Sequence, residues 1–301
     1  MTETVACDLC GCTESDRVLI GRDLWLKKPG EFQLVKCAGC GLCYLNPRPT
    51  RDELAAFYPA TYYSFRADKA KSELNWRRRL SQRIKDRRDL AGLPRGEPGM
   101  KALDVGCGSG GFLATLQAYG WEAYGVEPFE GGRVAKERGL KVHHGTVEDA
   151  GYPEGNFQFI RLRHVLEHAP NPKQLMRSLA PILARDGLLQ VILPNHGGLN
   201  ARLFGKYWES LDLPRHLYQF RVRDVLRLAE LSGLEVTKVS YRRNHFNSSL
   251  RYAINDRAPG WSRAMFSPPL SWFVALTKTL ISLSSRTPVG DEMTILLRHR
   301  L

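Results

Sequence analysis

Residues 100–127 read MKALDVGCGSGGFLATLQAYGWEAYGVE. Met100 to Val105 is a short apolar strand, Gly106-Cys107-Gly108-Ser109-Gly110-Gly111 follows it at once, and Phe112 to Tyr119 has helical periodicity. Glycines at 106, 108 and 110 let the backbone pass close to a nucleotide-like ligand, and the helix start beyond them offers unpaired N–H groups. A second strand, Glu122 to Val126, ends in Glu127, an acid 23 residues after Asp104 and placed to take two ribose hydroxyls. The chain has no Gly-x-x-x-x-Gly-Lys loop, which argues against a nucleoside triphosphate. The pattern of strand, turn, helix and strand predicts an α/β domain with ligand-binding strand tips.

Around this stretch the chain runs to 301 residues, enough for two units at roughly 100 to 200 residues per domain. Its composition, 43% apolar and 25% charged, is that of a globular protein rather than a disordered or repetitive one. No apolar run reaches the roughly 18 residues that span a bilayer, and MTETVACDLCG has no basic or apolar leader region. A cytoplasmic location is expected, where clustered thiols serve metal or chemistry rather than disulfides.

Two turns, Cys7-Asp8-Leu9-Cys10-Gly11 and Cys37-Ala38-Gly39-Cys40-Gly41, each aim two thiolates at one point. Together they predict a closed tetrahedral four-thiolate zinc site with a structural role. The segments between them read as short strands, so residues 1–50 are expected to form a small zinc ribbon. Cys12 and Cys43 lie just outside the turns as bystanders or substitute ligands.

The net charge of +13 is unevenly spread. Residues 66–101 carry 12 basic and 5 acidic side chains and residues 242–301 carry 9 and 3, whereas 1–65 and 102–241 are close to neutral. Residues 69–90 read as a basic helix within a linker spanning 51–99, and Leu93-Pro94-Arg95-Gly96-Glu97-Pro98-Gly99 ends it. Beyond it, 100–301 forms the main domain, with an insertion at about 242–290. There Leu270, Phe273, Val274, Leu280 and Ile281 make an apolar stripe beside Trp261, Trp272, Arg251, Arg257 and Arg263. That combination suits either cover for a core or peripheral contact with an anionic membrane surface.

DVGCGSGGFL, the VEP that follows, FQFIRLRHVLEHAPNP and the ILPN strand end resemble class I S-adenosylmethionine-dependent methyltransferases over about residues 100–240. With the four-cysteine module, its NPRP exit and the PRHLYQF segment, the chain is similar to a zinc-ribbon-bearing branch related to the ubiquinone-biosynthesis-type O-methyltransferases. The resemblance implies a seven-stranded, mostly parallel Rossmann-like sheet with helices on both faces. It also implies Gly106, Gly108 and Gly110 beside the methionine part of S-adenosylmethionine, Asp104 near its amino group and Glu127 on its ribose. Two positions depart from the family. Thr146 stands where many relatives have the acid that holds the adenine amine, which shifts that contact to Val147, Glu148 or Asp149; Gln158 replaces a usual Asp.

His164-Val165-Leu166-Glu167-His168 matches the H-x-x-E-H of inverted zinc peptidases. That motif needs a long helix, and here it comes straight off an apolar strand and is stopped by Ala169-Pro170-Asn171-Pro172. At a strand tip His164 would instead lie near the sulfonium, with Glu167 and His168 fixing the loop or holding a divalent ion. His164 and His216 are the candidate bases for a hydroxyl acceptor, and His216 has the alternative of a loop histidine bonded to backbone. The favoured reading is methyl transfer to a hydroxyl of a sugar, glycolipid or secondary metabolite. RNA methylation is disfavoured by the neutral zinc module and the lack of a base-stacking platform. A cofactor-binding module without turnover is the third alternative.

Overall fold

The computed structural model describes residues 2–58, 90, 93–242, 246–257 and 287–300. The basic helix expected at 69–90 falls outside the described residues apart from Leu90, as does the apolar stripe of 270–281. In chain order the strands are β1 (Thr2–Glu3), β2 (Ser15–Gly21), β3 (Phe32–Cys37), β4 (Cys43–Leu45), β5 (Arg48–Pro49), β6 (Lys101–Val105), β7 (Glu122–Val126), β8 (Lys141–His143), β9 (Phe157–Arg163), β10 (Leu183–Pro194), β11 (Tyr218–Gln219), β12 (Leu234–Arg242) and β13 (Glu292–His299). The described helices are α1 (Arg51–Ala55), α2 (Gly111–Ala118), α3 (Glu130–Glu137), α4 (Val147–Ala150), α5 (Pro172–Ile182), α6 (Leu199–Phe204), α7 (Val222–Glu230) and α8 (Phe246–Arg257). No helix among the described residues is long and apolar enough to cross a membrane.

Seven strands form one sheet in the order β12-β13-β10-β9-β6-β7-β8. β6 pairs in parallel with both β7 and β9, β7 pairs in parallel with β8, and β12 and β13 are antiparallel. The chain steps outward from β6 through β7 to β8 and then returns to the other side of β6 as β9. That reversal makes the β6 tip a topological switch point, the place where open α/β sheets bind ligands.

By contacts the chain divides into two compact units, one of Met1–Phe57, His164–Met176 and Val191–Arg300, the other chiefly of Tyr58–Arg163 and Arg177–Gln190. The second unit buries Ala102, Leu113, Leu116, Trp121, Ala123 and Phe159 in one apolar cluster. Arg161 of β9 is buried there with its guanidinium 3.6 Å from the centre of the Phe112 ring, so its charge faces a π cloud.

The first unit contains a four-stranded sheet in the order β11-β4-β3-β2. Its strands come from the expected ribbon, except that Tyr218 and Gln219 of β11 pair antiparallel with Tyr44 and Cys43. Arg48 extends the tie by donating from Nη1 to the Pro170 carbonyl at 2.7 Å. Arg215 is 0% exposed and donates to Asp23 Oδ1 at 2.9 Å and to Asp212 Oδ2 at 3.0 Å. Asp23 also accepts the Trp25 and Leu26 N–H groups, so one carboxylate fixes the turn after β2 and the arginine together.

Removing one partner of a buried ion pair leaves the other charge desolvated, a loss of about 3 to 5 kcal/mol. Because Asp212 remains, Asp23→Ala should lower unfolding free energy by about 3 kcal/mol in a urea titration, and Asp23→Asn, which keeps an acceptor oxygen, by less.

Candidate active site

The turn after β6 takes left-handed backbone at Gly106 (φ 69°), Gly108 (φ 53°) and Gly110 (φ 81°). At Gly110, which caps α2, an added Cβ would also lie 2.2 Å from Leu140 Cδ1, so both conformation and space demand glycine. Glu127, at the tip of β7, is 5% exposed. Its Oε2 accepts the Gly108 N–H at 2.9 Å and its Oε1 accepts the Phe129 N–H at 3.0 Å. Burial pushes the Glu127 carboxyl up, against the pull of those two amides. A carboxylate offers about four lone-pair sites, so two amide bonds leave one on each oxygen for a ribose diol. Gly131 approaches so closely that a Cβ there would lie 2.8 Å from the Gly108 carbonyl carbon. Asp104 is buried near the end of β6. These residues fit the adenosyl and methionine parts of a nucleoside sulfonium.

After β8, Thr146 caps α4. Asp149 Oδ2 accepts the Thr146 N–H at 3.1 Å and its hydroxyl at 2.8 Å, while the Asp149 N–H returns a bond to Thr146 Oγ1 at 3.3 Å. This reciprocal capping box satisfies the helix start. Glu148 Oε1 accepts the Ser178 hydroxyl at 2.8 Å, and Val147 is buried. The two acids considered for the adenine contact are thus each engaged locally.

The first unit holds a second polar cluster. Residues 166–168 form a turn, not a helix, and His164 sits at φ 52°. His164 Nδ1 is 3.1 Å from Glu167 Oε1 and its Nε2 is 2.9 Å from Glu292 Oε2. Burial opposes its charge, but the two carboxylates win and hold its pKa at about 9. His164 is therefore an imidazolium bridging two acids, with neither nitrogen left to accept a proton. His168 donates from Nδ1 to the Arg215 carbonyl at 2.9 Å, and burial, with His216 beside it, lowers its pKa to about 4. The His216 ring stands edge-on to His168 at 4.6 Å and donates from Nδ1 to the Ser210 carbonyl at 2.8 Å. That is the backbone-bonded loop arrangement, with Nε2 3.8 Å from Asp212 Oδ2.

At the N-terminus Cys7 Sγ is 3.5 Å from Cys40 Sγ and Cys10 Sγ is 3.5 Å from Cys37 Sγ. All four sulfurs lie within 4.8 Å of one another. A tetrahedral zinc with bonds of about 2.3 Å sets its sulfurs about 3.8 Å apart, so the donor set fits a thiophilic ion. Gly11 and Gly41 close the two turns by donating to the Cys7 and Cys37 carbonyls at 2.7 and 2.9 Å. Burial pushes the Cys7 thiol up and Cys40 up to about 11. At Cys37 burial is outweighed by the Cys40 amide and the neighbouring thiols, which bring it down to about 6.

A match to the family described as methyltransferase domain covers residues 76–239, more than half of the chain. The chain belongs to the methyltransferase-domain family. The ubiquinone biosynthesis O-methyltransferase of Marinobacter nauticus is 31% identical over 163 residues, which is 48% of this chain and 68% of the relative. The protein of the same description from Proteus mirabilis is 35% identical over 98 residues, 30% of this chain and 40% of the relative, so the chain spans about two fifths of that protein. Among solved structures, geranyl diphosphate C-methyltransferase of Streptomyces coelicolor A3(2) has a TM-score of 0.50 at 13% identity, over 74% of this chain and 82% of that one, a likeness of fold.

In this methyltransferase-domain protein the glycine turn and Glu127 come together, and the four cysteines gather. Sequence reasoning missed Glu292, Asp212, Asp23 and Arg215. Asp212 and Arg215 flank the His216 already singled out, yet Asp23 lies 192 residues from Arg215 and Glu292 lies 128 from His164, with no local signal to join them.

The methyltransferase-domain protein stripped of metal should take up one zinc or cobalt(II) equivalent at its thiolates. Cys37→Ser should abolish the sulfur-to-cobalt charge-transfer absorption and lower the melting temperature of the metal-loaded chain.

Proposed function

We propose that this chain transfers a methyl group from S-adenosylmethionine to a hydroxyl of a small-molecule acceptor, a sugar, glycolipid or secondary metabolite. The observation that carries the reading is the Glu127 carboxylate, anchored by the Gly108 and Phe129 amides with lone pairs to spare beside a left-handed glycine turn. The relatives described as O-methyltransferases support oxygen as the acceptor atom.

When bound, S-adenosylmethionine supplies an electrophilic methyl on a positively charged sulfur. Gly106, Gly108 and Gly110 give the methionine part backbone approach, Asp104 takes its amino group, Glu127 takes the ribose diol, and Val147, with Glu148 and Asp149 behind it, borders the adenine. Displacement at the methyl carbon is in line, so the chain's main task is alignment, an effect that can reach about 7 to 11 kcal/mol. His216 is the candidate base for the acceptor proton, its ring oriented by the Nδ1 bond to the Ser210 carbonyl. His164, already protonated between Glu167 and Glu292, positions Glu167 rather than acting as a base. The cysteine set is proposed to hold structural zinc. Peripheral contact with an anionic membrane through 242–290 remains an expectation whose apolar stripe lies outside the described residues.

Calorimetry with S-adenosylmethionine and its demethylated product tests the donor site. Each hydrogen bond to a charged group is worth about 1.5 to 3 kcal/mol, so Glu127→Ala should weaken binding about 100-fold or more. His216→Ala should bind the donor within about twofold of wild type while methyl transfer into fractionated cell extract falls at least about 100-fold. Wild-type donor affinity in Glu127→Ala would remove the reading.

A further inference from the structure

The first cysteine turn presents more than thiols. Between Cys7 and Cys10, Asp8 reaches a residue 165 positions further along the chain: its Oδ2 accepts the Lys173 N–H at 2.8 Å. Lys173 is the second residue of α5, and Pro172 before it has no N–H to offer. The Lys173 amide is therefore the first of the helix-start donors that needs a partner from outside the helix. A carboxylate there also meets the positive end of the helix dipole. A side chain inside a metal-binding turn thus caps the helix that follows the H-x-x-E-H turn.

Further ties run from the same ribbon to the same stretch. Arg48 Nη1 and the Tyr218 hydroxyl both donate to the Pro170 carbonyl, at 2.7 and 3.1 Å. The Leu217 and Tyr218 amides donate to the Glu167 carbonyl at 2.8 and 3.2 Å. Tyr218 lies in β11, which pairs with β4, and β4 follows the second cysteine turn. Each cysteine turn therefore leads by a short hydrogen-bonded route to residues 167–173, and all of these groups belong to the first unit.

The loop that carries Asp8 has little packing of its own. From Ala6 to Glu14 only Cys7 and Leu9 are buried. The loop is closed by the Cys7 N–H on the Cys12 carbonyl at 2.9 Å and the Gly11 N–H on the Cys7 carbonyl at 2.7 Å. Segments with so few apolar contacts open easily, and an ion bound by such a loop supplies order that packing does not. With all four sulfurs within 4.8 Å of one another, one ion draws both cysteine turns to a single point.

We propose that metal at the four thiolates governs the order of the H-x-x-E-H turn. Occupancy fixes Asp8, Asp8 caps α5, and the cap holds the turn that carries Glu167 and His168. Removal of the ion by a chelator frees the Asp8 loop, uncaps the helix and loosens that turn. The cysteine site is then a switch on the polar cluster of the first unit, and Asp8 is a positioning residue that acts through the helix start. The inference goes beyond methyl transfer and rests on the proposed metal at the cysteines.

Amide hydrogen exchange of the full chain, loaded with zinc and stripped of it, tests this. Metal removal should lower protection across residues 166–174 by at least about 10-fold, the scale of one hydrogen bond to a charged acceptor, while β6 and β7 keep theirs. In the zinc-loaded chain Asp8→Ala should lower protection at Lys173 by about 10- to 100-fold. Asp8→Asn, which keeps an acceptor oxygen, should lower it by less. Loaded with cobalt(II) instead, both variants should retain the sulfur-to-cobalt charge-transfer band that reports an intact thiolate site. Equal protection of 166–174 with and without zinc, wild-type protection at Lys173 in Asp8→Ala, or a loss spread equally over β6 and β7 would overturn the proposal. A chain that takes up no cobalt would overturn it together with the metal reading. Failure of the donor reading shows separately, in calorimetry with S-adenosylmethionine.

Discussion

A guanidinium with no solvent contact organises the first unit. Arg215 meets carboxylates from two distant stretches, Asp23 after β2 and Asp212 three residues before it, while its own carbonyl receives His168. Two opposite charges flank one positive charge in a dry setting, and their attraction outweighs the desolvation that would otherwise lower its pKa. The consequence is geometric. The guanidinium fixes the turn that follows the first ribbon strand to the loop carrying His216 through buried ionic bonds, and the turn carrying Glu167 and His168 is tied to the same residue by a hydrogen bond to its backbone carbonyl. The ribbon sheet gains its fourth strand from the same loop region, through Tyr218 and Gln219.

The second unit solves a similar problem with backbone amides instead of an arginine. Glu127 is held by the N–H groups of Gly108 and Phe129, one from the glycine turn and one from the approach to α3. Amides are weaker partners than a guanidinium, and burial still raises the carboxyl pKa. That weakness suits a ligand site, because the carboxylate keeps unused lone pairs that a diol can claim. Arg215 has no such surplus, and its role is structural.

What was legible in the sequence was local. The β6 strand, the glycine turn and β7 are contiguous, and each Cys-x-x-Cys-Gly turn is complete within five residues, so spacing alone exposes them. Strand β9 and the break at Pro170 correctly excluded a peptidase-like helix. Thr146 to Asp149 carried a legible signal that was assigned elsewhere: a threonine three residues before an acid is a helix cap, and the structure uses Asp149 for it. The proximity of His164 to Glu292 was not legible, because a single glutamate in a terminal strand acquires meaning only once β13 is paired in the sheet. Likewise β11 has two residues and no pattern of its own, and exists as a strand because β4 offers it an edge.

Two buried glutamates, Glu127 and Glu167, carry opposite implications. At Glu127 every oxygen already has a donor, so the ligand it can take is one that adds hydrogen bonds, a neutral polyol. At Glu167 one oxygen faces an imidazolium and the other is buried with no hydrogen-bond partner. The contrast separates a carboxylate braced by two amides, with lone pairs still open on both oxygens, from one whose second oxygen no hydrogen bond meets.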